Sequence, residues 1–145
     1  MYKVNHLVYW LLQLSWGLIQ NVVGFGIFLV LHILDFKREK HFYHGAIVTM
    51  WKYPFSMGCG MWIFLGHKGK NVEKVLVHEY GHTIQSIILG PLFMPVVAIP
   101  SLTWAFTPVF VKYRRKTGYL YTDFYCEAWA NNLGKLIIKK EPIRN

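Results

Sequence analysis

Residues 4 to 34 contain no Asp, Glu, Lys or Arg. A run of that length exceeds the roughly 20 apolar residues that span a bilayer. The sequence therefore predicts a retained transmembrane helix over about 7–34. A cleaved signal peptide would have a shorter apolar region and a small-residue cleavage site, and neither is present. Trp10 and Trp16 suit a membrane interface. Gln13, Gln20 and Asn21 are polar inside the run and are expected to face other helices, not lipid. The charged stretch 35–41 then reads as a stop, placed in the cytoplasm by the positive-inside rule.

Composition points the same way. Hydrophobic residues make up 54% and charged residues 16%, against about 25% charged in ordinary soluble domains. The net charge of +9 could suggest nucleic acid, but the basic residues sit in short clusters beside long uncharged stretches, which is the membrane-flank pattern. Nucleic acid is therefore not an expected partner. The two cysteines, Cys59 and Cys126, form no CxxC pair and read as inert buried thiols.

Residues 45–66 are rich in β-branched and aromatic residues, broken by Pro54, Gly58 and Gly60. They predict a β-hairpin or a pair of irregular strands, with a short membrane-embedded helix as the alternative. Residues 72–89 predict a helix with Asn71 as N-cap, ended by Gly90-Pro91. Residues 91–111 are long enough to cross a membrane but are broken by Pro95, Pro100 and Pro108. A last helix is expected over 121–138, with Thr122 as its N-cap. Placing the basic clusters at 37–40 and 112–116 on one side of the membrane requires an even number of crossings between them. In that arrangement Lys68 falls inside and Lys3 outside. The expected fold is one membrane-embedded domain over 1–145: mainly α, multi-pass, with a small β-hairpin and a metal-binding helix pair. The expected location is the inner or plasma membrane of a bacterium, with the site near the cytoplasmic face.

The chemistry lies in His78-Glu79-Tyr80-Gly81-His82, an HExxH motif. On a helix, positions i and i+4 share a face, so both imidazoles can address one Zn²⁺. Glu79 then lies beside the water that the ion activates, where it can act as general base. Gly81 keeps the helix slim for a second element to approach. A catalytic zinc site needs a third protein ligand. A third His close behind the motif is excluded, because position 85 is Gln and 88 is Ile. Glu127 is the expected third ligand. Asn131, four residues on, shares its face and can hydrogen-bond a ligand histidine. Gly134 lets this helix come close to the first. Asp123 is the reserve ligand, and its other reading is a first-turn acid stabilised by the helix dipole.

HExxH with a downstream Glu on a second helix resembles the glutamate-zincin metallopeptidases. The string Glu127-x-x-Ala130-Asn131-x-Leu133-Gly134 is similar to the ExxAD-x-x-G segment of the membrane-bound HtpX and CAAX prenyl endopeptidase families. The HEYGH-x-x-Q-S…LGP pattern from His78 to Pro91 also resembles small bacterial membrane proteins. The resemblance implies zinc bound by His78, His82 and Glu127, with Glu79 as base. Asn131 departs from the family's Asp. By the same analogy, 57–66 would hold an edge strand to which substrate peptide adds.

An oxyanion stabiliser is expected among Tyr119, Tyr121, Tyr125 and His67. The function expected is that of a membrane zinc metallopeptidase acting on a peptide or a membrane-protein segment. The alternatives are a zinc hydrolase of a lipid-linked amide or ester, and a metal-binding subunit of a membrane complex without turnover.

Overall fold

The computed structural model describes residues 5–66 and 69–145. Lys3, His67 and Lys68 lie outside them.

The uncharged N-terminal run does not form one helix. It forms α1, His6–Leu14, and α2, Leu18–Leu34, bent by 96°. The polar residues inside the run cause the break. Asn21 Nδ2 donates to the Gln13 backbone oxygen, to Gln13 Oε1 and to the Gly17 oxygen. Gln13 donates to the Thr83 oxygen, and Gln20 to the oxygens of Ser86 and Gly90. Unpaired amides in an apolar setting cost several kcal/mol, so the chain turns to satisfy them on a neighbouring helix.

The proline-rich stretch is also broken. It runs through a 3₁₀ turn (Gly90–Leu92), a π turn (Met94–Ala98), α4 (Ile99–Phe106) and α5 (Pro108–Thr117). The π turn and α4 together meet α5 at 70°. Pro108 has no N–H to offer the Trp104 carbonyl, so the helix ends there. These observations overturn the multi-pass reading. Among the described residues no single helix is long and apolar enough to cross a membrane. The parity argument for orientation needed crossing helices and goes with it.

The expected hairpin over 45–66 is part of a larger unit. The strands are β1, Lys40–Tyr43; β2, Ala46–Met50; β3, Met57–Cys59; and β4, Trp62–Leu65. Their order is β1-β2-β4-β3. β1 pairs antiparallel with β2 across a tight turn, with His44 and Gly45 both at positive φ, the backbone such two-residue turns require. β4 runs parallel to β2 and antiparallel to β3. β1 starts inside the charged stretch expected to be a cytoplasmic stop. β4 is buried along its whole length, as a central strand covered on both faces must be.

The sheet packs on α3, Val72–Leu89, through Val75, Leu76, Val77 and Tyr80. The other side of α3 meets α6, Tyr125–Ile138. That contact is backbone to backbone. A Cβ on Gly81 would lie 1.9 Å from the Ala130 oxygen, and one on Gly134 would lie 2.0 Å from the Val77 oxygen. α6 starts later than expected, because Tyr121–Asp123 is a 3₁₀ turn. Thr122 does not cap α6. Its N–H donates to the Asn145 oxygen at 3.0 Å.

Candidate metal centre

α3 carries His78, Glu79 and His82, all buried. Each offers a ligand atom within 4.8 Å of the others, so this group could hold a metal ion. The i,i+4 spacing sets the two rings 4.9 Å apart at 87°. α6 delivers Glu127, fully buried, from across the glycine crossing. Glu127 Oε2 lies 3.1 Å from His78 Nε2 and 3.2 Å from His82 Nε2.

The far sides of the two rings decide what this cluster needs. His78 Nδ1 is 2.8 Å from Asn131 Oδ1, and His82 Nδ1 is 2.7 Å from Gln85 Oε1. Both partners are amide oxygens. Their orientation is fixed, because Asn131 Nδ2 donates to the Ile143 oxygen and Gln85 Nε2 to the Cys126 oxygen. An amide oxygen only accepts, so each Nδ1 carries its ring's hydrogen. In a neutral imidazole each Nε2 is then a bare lone pair. Two lone pairs and a carboxylate oxygen converge with no donor between them. Repulsion at such distances requires a cation, either protons on the rings or one shared metal ion. Two ligands about 2.0–2.1 Å from a tetrahedral ion lie about 3.3 Å apart, close to the separations observed.

Without an ion, a proton on His82 takes that role. Burial works against ionisation of Glu127, but the charges and hydrogen bonds of His82 and His78 override it and hold the carboxyl well below its usual range. Burial likewise opposes charge on His82. Glu127 overcomes it, with help from Glu79 and Gln85, and the imidazole is pushed up to about 9.

Glu79 has a different setting. Burial, and less strongly Glu127, raise its carboxyl above the ordinary range, while His78, His82 and the Gly58 N–H pull it back. Gly58 belongs to β3, whose backbone passes close beside α3. A Cβ there would lie 2.7 Å from the Glu79 backbone oxygen. Glu127 thus touches both imidazoles directly, and Glu79 stands one step away, beside the edge strand.

The centre opens on a cavity of about 480 Å³. β3, α2, the π turn and α4 wall it with apolar side chains, among them Ile27, Met57, Val97 and Leu102. Tyr121 also lines it, its hydroxyl 3.2 Å from Ser101 Oγ. Burial, then the charges of Glu127 and Glu79, raise the Tyr121 phenol, so it stays a neutral donor. Tyr119 and Tyr125 spend their hydroxyls on the oxygens of Asp123 and Val96. His67 is outside the described residues.

Asp123, the reserve ligand, is not brought to the centre. It sits in the 3₁₀ turn, half exposed, and faces Arg144 at 3.7 Å. Gln85 was visible in the sequence only as a position that is not His. Its place three residues after His82, one turn along the helix, is the signal that could have found it. Cys126 is buried behind Glu127, its Sγ 3.5 Å from Oε1, and burial and that carboxylate raise the thiol.

Comparison with protein-family models, curated proteins and solved structures returned no match.

Proposed function

We propose that the chain is a zinc-dependent peptidase. The observation that carries this is the convergence of two Nε2 atoms on one carboxylate oxygen, with both Nδ1 atoms already paired to amide oxygens. The donor set, two imidazoles and a carboxylate, is one that zinc favours and that leaves a fourth position open. A zinc ion held by His78, His82 and Glu127 would supply an activated water and polarise the scissile carbonyl. Glu79 takes the proton from the attacking water and passes it to the leaving amine. Burial raises its carboxyl above the ordinary range, the direction a group that takes and returns a proton needs. Tyr121 donates a hydrogen bond to the oxygen on which negative charge develops. β3 is an edge strand and lines the cavity, which suits an extended peptide that pairs with it. That cavity favours turnover over a purely structural ion, whose site would be closed.

The test is metal analysis with hydrolysis of a peptide library. Wild type should hold one zinc per chain. Glu127→Ala should lose it, and Glu79→Gln should keep it and lose hydrolysis. Zinc retained by Glu127→Ala, or turnover retained by Glu79→Gln, overturns the assignment.

We also propose that the chain binds a lipid surface. α1, α2 and the bend between them expose Leu7, Leu11, Trp16, Ile19, Val22 and Leu34. Lys37 and Lys40, exposed just beyond the end of α2, supply positive charge. Apolar faces flanked by cations favour an anionic leaflet. Co-sedimentation with phosphatidylglycerol vesicles, weakened by salt, is the expected result. Equal recovery with and without vesicles removes this part.

A further inference from the structure

We infer that Arg114 makes one end of the cavity a carboxylate-binding subsite, so that the peptide taken there carries a free carboxylate. The inference rests on the peptidase reading only in calling the ligand a peptide.

Arg114 lies on α5, and the bend between α4 and α5 folds it back over the end of α4. Its Nη1 donates to the Trp104 oxygen, the carbonyl that Pro108 leaves without an N–H, and its Nη2 lies 3.3 Å from the Ala105 oxygen. The guanidinium stacks 4.8 Å from the Trp104 ring and 5.5 Å from the Tyr121 ring. These contacts have a structural role, since they complete the end of α4. They also hold the group rigidly while leaving donors over, because a guanidinium has five N–H groups.

Two further observations point to a ligand. Arg114 lines the same cavity as His78, Glu79 and His82, and no other Lys or Arg among the described residues does so. It also has no acid. Among the described residues Arg38, Lys135, Lys140 and Arg144 each pair with a carboxylate; Arg114, like the exposed Lys37, Lys112 and Arg115, pairs with none, but it differs from these in being half-buried against the cavity. A half-buried cation beside apolar walls is costly without a counter-charge. A carboxylate fits the guanidinium fork in two-pronged fashion. Tyr121 contacts the guanidinium through its ring and lines the cavity with the metal centre, so metal centre, hydroxyl and cation are parts of one cleft. A bound peptide can then present an amide bond to the first and its carboxylate to the last. The apolar side chains between them meet Val97, Leu102 and Phe106.

The experiment measures binding of acetyl-Leu-Leu-Phe as free acid and as amide by calorimetry, using the full chain with Glu79→Gln. It is done zinc-loaded and again after chelation. An acetyl-Leu-Leu-Glu amide arm tells a terminal carboxylate from a side-chain one, and decanoate tells a peptide from a lipid. The acid should bind at least tenfold tighter than the amide in both zinc states. Arg114→Gln should bring the acid down to the amide's affinity and leave the amide unchanged. Arg114→Lys should retain part of the preference, which also serves if the Gln variant fails to fold. Equal affinities overturn the inference, as does a preference that survives Arg114→Gln or vanishes with zinc. So does decanoate binding where the peptide acid does not. A chain that hydrolyses nothing yet prefers the acid keeps this subsite and rejects the peptidase reading.

Discussion

Gly134→Ala tests whether the crossing of α3 and α6 sets the metal centre. Alanine favours a helix over glycine by about 1 kcal/mol, so on an isolated helix the change would stabilise. Here the new Cβ would lie 2.0 Å from the Val77 oxygen. Reaching the 3.4 Å of ordinary contact requires the backbones to part by roughly 1.4 Å. Forcing a methyl into a packed crossing costs about 1–3 kcal/mol. The steric cost outweighs the gain, for a net loss of up to about 2 kcal/mol. The effect on the site is larger. Gly134 lies two turns beyond Glu127 on the same helix, and a misplacement of about 1 Å can reduce catalysis by about 10²-fold. The assay is urea unfolding for stability and competition with a chromophoric chelator for zinc. We expect a lower midpoint with unchanged slope and at least a tenfold weaker zinc affinity. A variant about 1 kcal/mol more stable, with zinc affinity intact, would mean that only helix propensity had been felt and that the close crossing is wrong.

Three other outcomes are expected. Because Glu127 and its neighbours raise His82 to about 9, zinc must displace a proton from it at neutral pH. Zinc affinity should therefore climb about tenfold per pH unit for each proton displaced and level off above about pH 9; a flat profile between pH 7 and 9 in a chelator competition would contradict this. Gln85→Leu removes the acceptor of His82 Nδ1 and should weaken zinc by about 10–100-fold, read by the same competition. Tyr121→Phe should lower kcat about 10²–10³-fold, with zinc content unchanged; if KM alone rises in steady-state kinetics, the hydroxyl binds substrate and not the developing charge.

What the sequence made legible was local. The HExxH spacing places His78 and His82 on one face because a helix repeats every 3.6 residues, and nothing distant can change that. The short inventory of acids pointed to Glu127, and the small residues at 81 and 134 signalled a close approach. What was not legible depends on long-range partners. Hydropathy counts apolar residues but not the path they take, so the bend at 15–17 was hidden. It depends on Gln13 reaching Thr83 and Gln20 reaching Ser86, across about half the chain. β1 was hidden in a charged stretch, because its strand character comes from pairing with β2. The parallel pairing of β2 and β4 is equally non-local. Asp123 was misplaced because the 3₁₀ turn and the contacts of Thr122 with residue 145 shift the start of α6.

Gln85 closes a circuit. It holds His82 with its oxygen and the Cys126 carbonyl with its nitrogen, and the next residue along that strand of contacts is Glu127. An ion joining His82 to Glu127 would complete a small ring running through two helices. Such a link couples occupancy to docking: an ion that binds only the docked helices would hold them together more firmly, while the protonated His82–Glu127 pair and the glycine crossing keep them joined without it. A thermal scan of the protein would then track metal supply as closely as it tracks temperature.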